Sequence, residues 1–215
     1  MLNKKQKGFT LVEIAIVLVI VGLLIGGVLK GQEMITNAKL KRIESDNAGI
    51  AAAMFSYQDR YLQLPGDDSG ASGRFSVYAD TDPVDGTGTG TIDGAWNVTS
   101  TGDITLAQTD ETNMFFAHLR AAGLVPGGGK EDTKPSNAYG GQIGIQDGAL
   151  NIAGHVTVFG TIEGPIAKIL EGRLDDAVGS SGRIQAAVSG VDMSLAASAS
   201  EKYDDTKRYD MAFRL

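Results

Sequence analysis

The sequence predicts an α+β fold in which one long amino-terminal helix, apolar in its first half and amphipathic in its second, packs through that second half on an antiparallel β-sheet. Three observations predict it. A bilayer-length apolar run lies within the first thirty residues, a stripe of helical period follows it, and the carboxyl-terminal half alternates apolar and polar residues between turn signals.

The apolar run is "KGFTLVEIAIVLVIVGLLIGGVLK", Lys7 to Lys30. From Ile14 to Leu29 sixteen consecutive residues are Ile, Val, Leu, Ala or Gly, and from Phe9 onward only Thr10 and Glu13 are polar. About 20 such residues cross a bilayer as a helix. Lys4, Lys5 and Lys7 precede the run, which by the positive-inside bias puts Met1 in the cytoplasm and the bulk of the chain outside it. A secretory signal would end in a small-residue cleavage site, whereas this run ends "GGVLKGQEMI". A plain uncleaved anchor fits the length but leaves Glu13 unexplained, because a carboxylate at mid-membrane costs roughly 2.5 to 3.5 kcal/mol and marks function. Its place near the start of the run brings it toward the headgroups and lowers that cost. Gly22, Gly26 and Gly27 allow close helix approach, and each softens the helix by up to ~1 kcal/mol relative to alanine.

Beyond Lys30, residues Ile43, Ile50, Met54, Tyr57 and Tyr61 recur at spacings that place them on one helical face, the seam for packing on the chain's own globular part. Pro65 and Gly66 stop this helix. Continuous from Phe9 to Tyr61 it would run to roughly 80 Å, longer than a compact domain, so half of it is expected to project. "NMFFAHLRAAGLV" is a short amphipathic helix with Asp110 as its cap, Phe115, Leu119 and Ala122 on one face and Gly123 as terminator. "IGIQDGALNI" predicts a hairpin around Asp147-Gly148, with Ile143 and Ile145 opposite Leu150 and Ile152. "HVTVFG", "RIQAAV" and a final segment with Tyr209, Met211, Phe213 and Leu215 in phase predict further strands, and Pro165 opens a helical turn running through Glu171.

Composition narrows the function classes. The 215 residues carry a net charge of −7, and losing the three leading lysines would make it −10, which argues against a general nucleic-acid-binding surface. The length suits one domain with an appendage. The chain has no cysteine and only two histidines, His118 and His155, so thiol catalysis, Cys-ligated metals and a three-His zinc site are excluded. Each histidine reads as a surface or strand residue. "DTDPVDGTGTGTIDG", Asp80 to Gly94, reads as a flexible, solvated loop; its second reading is a calcium-binding loop through Asp80, Asp82 and Asp85, whose spacing misses the EF-hand pattern by one residue. "GGGK", Gly127 to Lys130, lacks the remaining residues of a phosphate loop, and Asp175-Asp176 in "LDDAVGSSG" reads as turn chemistry. Nothing here makes an enzyme; any catalysis belongs to whatever processes the chain.

Gly8-Phe9-Thr10-Leu11-Val12-Glu13, behind its basic leader and ahead of its apolar helix, resembles the processing motif of type IV pilins and of the pseudopilins of type II secretion. That resemblance implies cleavage by a prepilin peptidase between Gly8 and Phe9, N-methylation of Phe9, and assembly through the apolar helix with other pilin subunits at an inner-membrane platform. It also implies that Glu13 pairs in the filament with the new amino terminus of a neighbouring Phe9. "YLQLPGDD", Tyr61 to Asp68, resembles the helix-ending turn of one pilin-like subgroup, and "LDDAVGSSGRIQA" and "YDMAFRL" extend the similarity. The proline that many pilins carry near the end of the apolar segment is replaced by Gly27-Val28-Leu29-Lys30. The resulting organisation is a cleaved leader (1–8), a membrane and filament-core helix (9–30), an amphipathic half (31–64) and a pilin-like globular domain (65–215) with a variable loop at about 69–109. The expected function is a pilin or minor pilin, first in the bacterial inner membrane and then in a periplasmic or surface filament. The alternatives are a secretion pseudopilin and a membrane-anchored extracytoplasmic binding protein that never polymerises.

Overall fold

The computed structural model describes residues 9–78, 85–97, 110–194 and 198–215. Helix α1 runs from Leu11 to Tyr61, and the chain divides into two compact units, Met1–Lys41 and Arg42–Leu215. In the first unit the large apolar side chains from Leu11 to Leu29 are exposed, Leu11 at 90%. Lys30 and Glu33 form an ion pair of 2.8 Å one turn apart at the end of the apolar stretch.

In the second unit the remainder of α1 buries Ile43, Ile50, Met54 and Tyr57, while Tyr61 stays half-buried. The helical period read from the sequence therefore marks a real seam. Short α2 (Ala71–Arg74) and a 3-10 turn (Ser76–Tyr78) follow, then α3 (Glu111–Ala121). Asp110 is the N-cap of α3 by position, but its side chain makes no capping hydrogen bond. Gly123, at φ +70, closes the helix: its N–H donates to the Arg120 carbonyl and that of Leu124 to the Leu119 carbonyl, a Schellman pair that needs a left-handed residue.

Strands β1 (Ile143–Ala149), β2 (Ile152–Glu163), β3 (Ile184–Val188) and β4 (Arg208–Arg214) form an antiparallel sheet of order β1-β2-β4-β3, with α4 (Gly164–Leu174) between β2 and β3. Pro165 stands in the first turn of α4 as expected. The hairpin forms, but not at Asp147-Gly148. Ala149 pairs with Ile152, so the turn is Leu150-Asn151, and Gly148 at φ +69 takes up a bulge inside the strand. A neighbouring loop decides the difference, because the Leu150 N–H donates to the Met193 carbonyl at 2.7 Å and fixes the turn three residues later than the local signal suggests.

One face of the sheet carries Thr157, Phe159, Met211 and Phe213 by strand alternation, and the Thr157 hydroxyl donates to Asn47 of α1. The other face carries Val156, Val158 and Ala212, which cluster with Trp96. Gly144 and Gly160 make room for that indole: a Cβ on Gly144 would lie 2.4 Å from the Trp96 carbonyl oxygen, and one on Gly160 would lie 2.8 Å from Trp96 Cη2. The Asp175-Asp176 turn behaves as read, since Asp175 Oδ2 accepts from the N–H groups of Arg183 and Ile184 and Asp176 accepts from Val178 N–H and the Ser181 hydroxyl.

Candidate functional site: the amino-terminal junction and the turn after the long helix

Gly8 lies outside the described residues, and Phe9 is the first residue described, 81% exposed. Glu13 sits in the first turn of α1 and engages Thr10 reciprocally. Glu13 Oε2 accepts from the Thr10 N–H at 2.8 Å and the Thr10 hydroxyl at 2.7 Å, while Thr10 Oγ1 accepts from the Glu13 N–H at 3.3 Å. This is a capping box, the Thr-x-x-Glu device that satisfies free N–H groups at a helix start and sets a negative charge against the positive end of the helix dipole. Thr10-Leu11-Val12-Glu13 spells it in the sequence, yet a reading that gives Glu13 only an intermolecular partner passes over it. The box does not use up the carboxylate, because Oε1 takes no hydrogen bond among the described residues. The side chain is thus held at the amino-terminal end of α1, one turn from Phe9, with one exposed oxygen outside the box.

The second landmark of the sequence, Leu64-Pro65-Gly66-Asp67-Asp68, is a buried junction. Gly66, at φ +90, donates its N–H to His118 Nδ1 at 3.0 Å, and a Cβ there would stand 2.5 Å from the Glu111 carbonyl oxygen. His118 is therefore a fully buried acceptor on α3, not the surface or strand residue that its isolation in the sequence suggested. His155 does lie on β2, half-buried beside Asp147 at 3.1 Å.

Asp67, buried, accepts from Thr89 N–H at 2.9 Å, Gly90 N–H at 2.6 Å and the Thr87 hydroxyl at 3.1 Å. Glu111, also buried, accepts from Thr87 N–H, the Thr87 hydroxyl and Asp93 N–H at 2.7 to 2.8 Å. The segment from Gly86 to Gly94 is thus pinned to the helix-ending turn while most of its residues stay exposed. Its own backbone donors neutralise the two carboxylates that hold it. Asp80 and Asp82 lie outside the described residues, and Asp85 accepts from the N–H and hydroxyl of Ser72 at 2.7 Å each.

Gly86 shows how close this contact is, since a Cβ on it would fall 2.3 Å from the Gly66 carbonyl oxygen and 2.4 Å from Asp67 Cα, both backbone. Gly86→Ala is expected to lower stability by about 1 to 3 kcal/mol through forced displacement of the loop. Gly90→Ala meets no neighbouring atom and strains only its own φ of +86. Denaturant unfolding of the two variants checks the order: Gly86→Ala should lose more stability, and equal losses would contradict a packed loop.

Asp68 completes the junction. It accepts from the Tyr57 hydroxyl at 2.5 Å, from the Gly70 N–H at 2.9 Å and from the Arg74 guanidinium, which also stands 5.1 Å over the Tyr61 ring. Burial pushes its carboxyl up, but these donors outweigh burial and hold it below the usual carboxylate range. The phenol of Tyr57 is pushed up by burial and by the Asp68 charge.

Residues 3–29 match the prokaryotic N-terminal methylation motif, the signature of type IV pilins and pseudopilins. No curated protein and no solved structure matches the chain.

Proposed function

We propose that this chain is a structural subunit of a type IV pilus-like filament, cleaved by a prepilin peptidase between Gly8 and Phe9, methylated on Phe9 and assembled through α1. The observation that carries the reading is the amino-terminal helix itself. Its apolar side chains from Leu11 to Leu29 are exposed, it is long and apolar enough to cross a membrane, and Glu13 is its sole charge between Phe9 and Leu29. Such a surface needs lipid before assembly and apolar partners after it. Cleavage after Gly8 removes the basic leader, leaves the apolar helix attached and creates an ammonium group one turn from Glu13.

In a bundle of such helices an unpaired carboxylate is costly, and the Phe9 amine of a neighbouring subunit satisfies the oxygen that the capping box leaves open. The second unit, anchored to α1 by its buried seam, then faces outward as the subunit's distinctive part. A type IV pilus role, as a pilin or minor pilin, is favoured by the large Gly/Thr/Asp loop held on the helix-ending turn, a surface available to partners. The membrane platform and companion pilins are the expected partners.

Gly8→Val, expressed with the processing machinery, tests the reading. The variant is expected to retain Met1, to fractionate with membranes and to be missing from sheared filaments. An unprocessed chain found in filaments at wild-type level would contradict the proposal, and full function of that membrane-bound monomer would favour the non-polymerising binding protein.

A further inference from the structure

Three carboxylates converge where α4 ends. Oxygens of Glu171, Asp175 and Asp176 lie within 4.8 Å of one another. Turn chemistry accounts for part of this arrangement, since Asp175 Oδ2 and both oxygens of Asp176 accept main-chain or hydroxyl donors. It does not account for Glu171. That side chain is fully buried, its Oε2 accepts from the Tyr203 hydroxyl at 3.0 Å, and its Oε1 has no hydrogen-bond partner among the described residues. A buried carboxylate oxygen without a donor costs several times what an exposed one does.

Two further facts sharpen the mismatch. None of the three carboxylates forms an ion pair among the described residues; Arg173, on the same turn, reaches Glu44 instead at 3.4 Å. The cluster also sits in the last turn and C-cap of α4, at the negative end of the helix dipole, where cations and not anions are favoured. Converging negative charge, an orphaned buried oxygen and a helix carboxyl terminus all ask for one positive charge in the same place. The donors are all hard oxygens on an irregular turn, which suits calcium; magnesium demands stricter octahedral geometry and keeps its water.

We propose that Glu171, Asp175 and Asp176 bind a calcium ion at the junction of α4 and the turn leading to β3. Glu171 Oε1 and Asp175 Oδ1 supply oxygens that no donor occupies among the described residues, and Asp176 shares its carboxylate between the ion and Ser181. The ion links α4 to the turn before β3 and, through Tyr203, to the segment before β4. This site is separate from the Asp80–Gly94 loop, and it holds whether or not the chain assembles.

The test uses the full chain in detergent micelles, stripped with a chelator and titrated with terbium, a luminescent calcium mimic that Tyr203 can sensitise. Terbium luminescence is expected to appear, to be displaced by calcium at roughly 10⁻⁴ to 10⁻³ M, the range of extracellular modules, and to resist equal magnesium. Asp176→Asn, an exposed position, is expected to keep the fold and weaken calcium binding about 10-fold or more. Glu171→Gln should abolish it, and Asp85→Asn should leave it unchanged. No calcium-dependent displacement in the wild type, or an undiminished response in Asp176→Asn, overturns the proposal. So does a response lost in Asp85→Asn and kept in Asp176→Asn, which would place the ion in the Asp80–Gly94 loop.

Discussion

Replacing Glu13 by alanine is expected to remove the chain from filaments while leaving its second unit as stable as before. Among the described residues Glu13 bonds only to Thr10, so it makes no contribution to the packing from Arg42 onward. An amine left unpaired in an apolar bundle costs about 3 to 5 kcal/mol, and incorporation should therefore fall by more than ~100-fold. The capping box supplies the control that separates the carboxylate's two duties. Glutamine at position 13 can still cap, because glutamine serves in the box as glutamate does, but it brings no charge. Thr10→Ala keeps the charge and loses the hydroxyl half of the box, worth about 1 kcal/mol. If charge pairing drives assembly, Glu13→Gln fails like Glu13→Ala and Thr10→Ala assembles at a reduced level. If capping is the whole role, glutamine is tolerated. The amount of each variant in sheared filaments relative to membranes decides between them.

The second large effect concerns the buried junction. Asp68→Ala is expected to cost about 3 kcal/mol, since it strips a partner from the Tyr57 hydroxyl, the Gly70 N–H and the Arg74 guanidinium at once. For a unit of this size that is roughly 6 to 12 °C in Tm. Arg74 is partly exposed and can recover water, which keeps the loss at the lower end for a buried pair. Tyr57→Phe should cost about 1 kcal/mol, because Asp68 keeps its other donors. The pH dependence has a definite sign. With its carboxyl held below the ordinary 3.8, the native state binds the proton less readily than the unfolded chain. The stabilisation is therefore present above pH 3.8 and is lost as pH falls through the lower native value. Asp68→Asn should show a shallower acid transition than the wild type, and parallel acid unfolding of the two would contradict the network.

How far the sequence carried the account depended on whether the deciding force was local. The seam of α1, the four strands and the closure of α3 at Gly123 follow from period, alternation and a left-handed glycine, all properties of neighbouring residues. The amino-terminal motif was equally legible, and so was its capping box, for a reader who asks first what a glutamate three residues after a threonine does for its own helix. The hairpin turn moved because a carbonyl at Met193, far along the chain, takes the Leu150 N–H. The Gly/Thr/Asp segment is exposed, as its loop composition indicates, but the carboxylates that tether it, Asp67 and Glu111, come from elsewhere in the chain. His118 shows the same limit, its role being fixed by the Gly66 N–H rather than by any neighbour in sequence. The place of Trp96 on the sheet depends on Gly144 and Gly160, which leave space for it from distant positions in the chain.

The claim on which the rest depends is that the chain becomes a mature subunit beginning at Phe9 with Glu13 as its fifth residue. The intact mass of the protein isolated from membranes and from filaments tests it most directly. A chain starting at Phe9 and carrying one added methyl group is the expected result. An unmodified chain that still begins at Met1 in both fractions would contradict it.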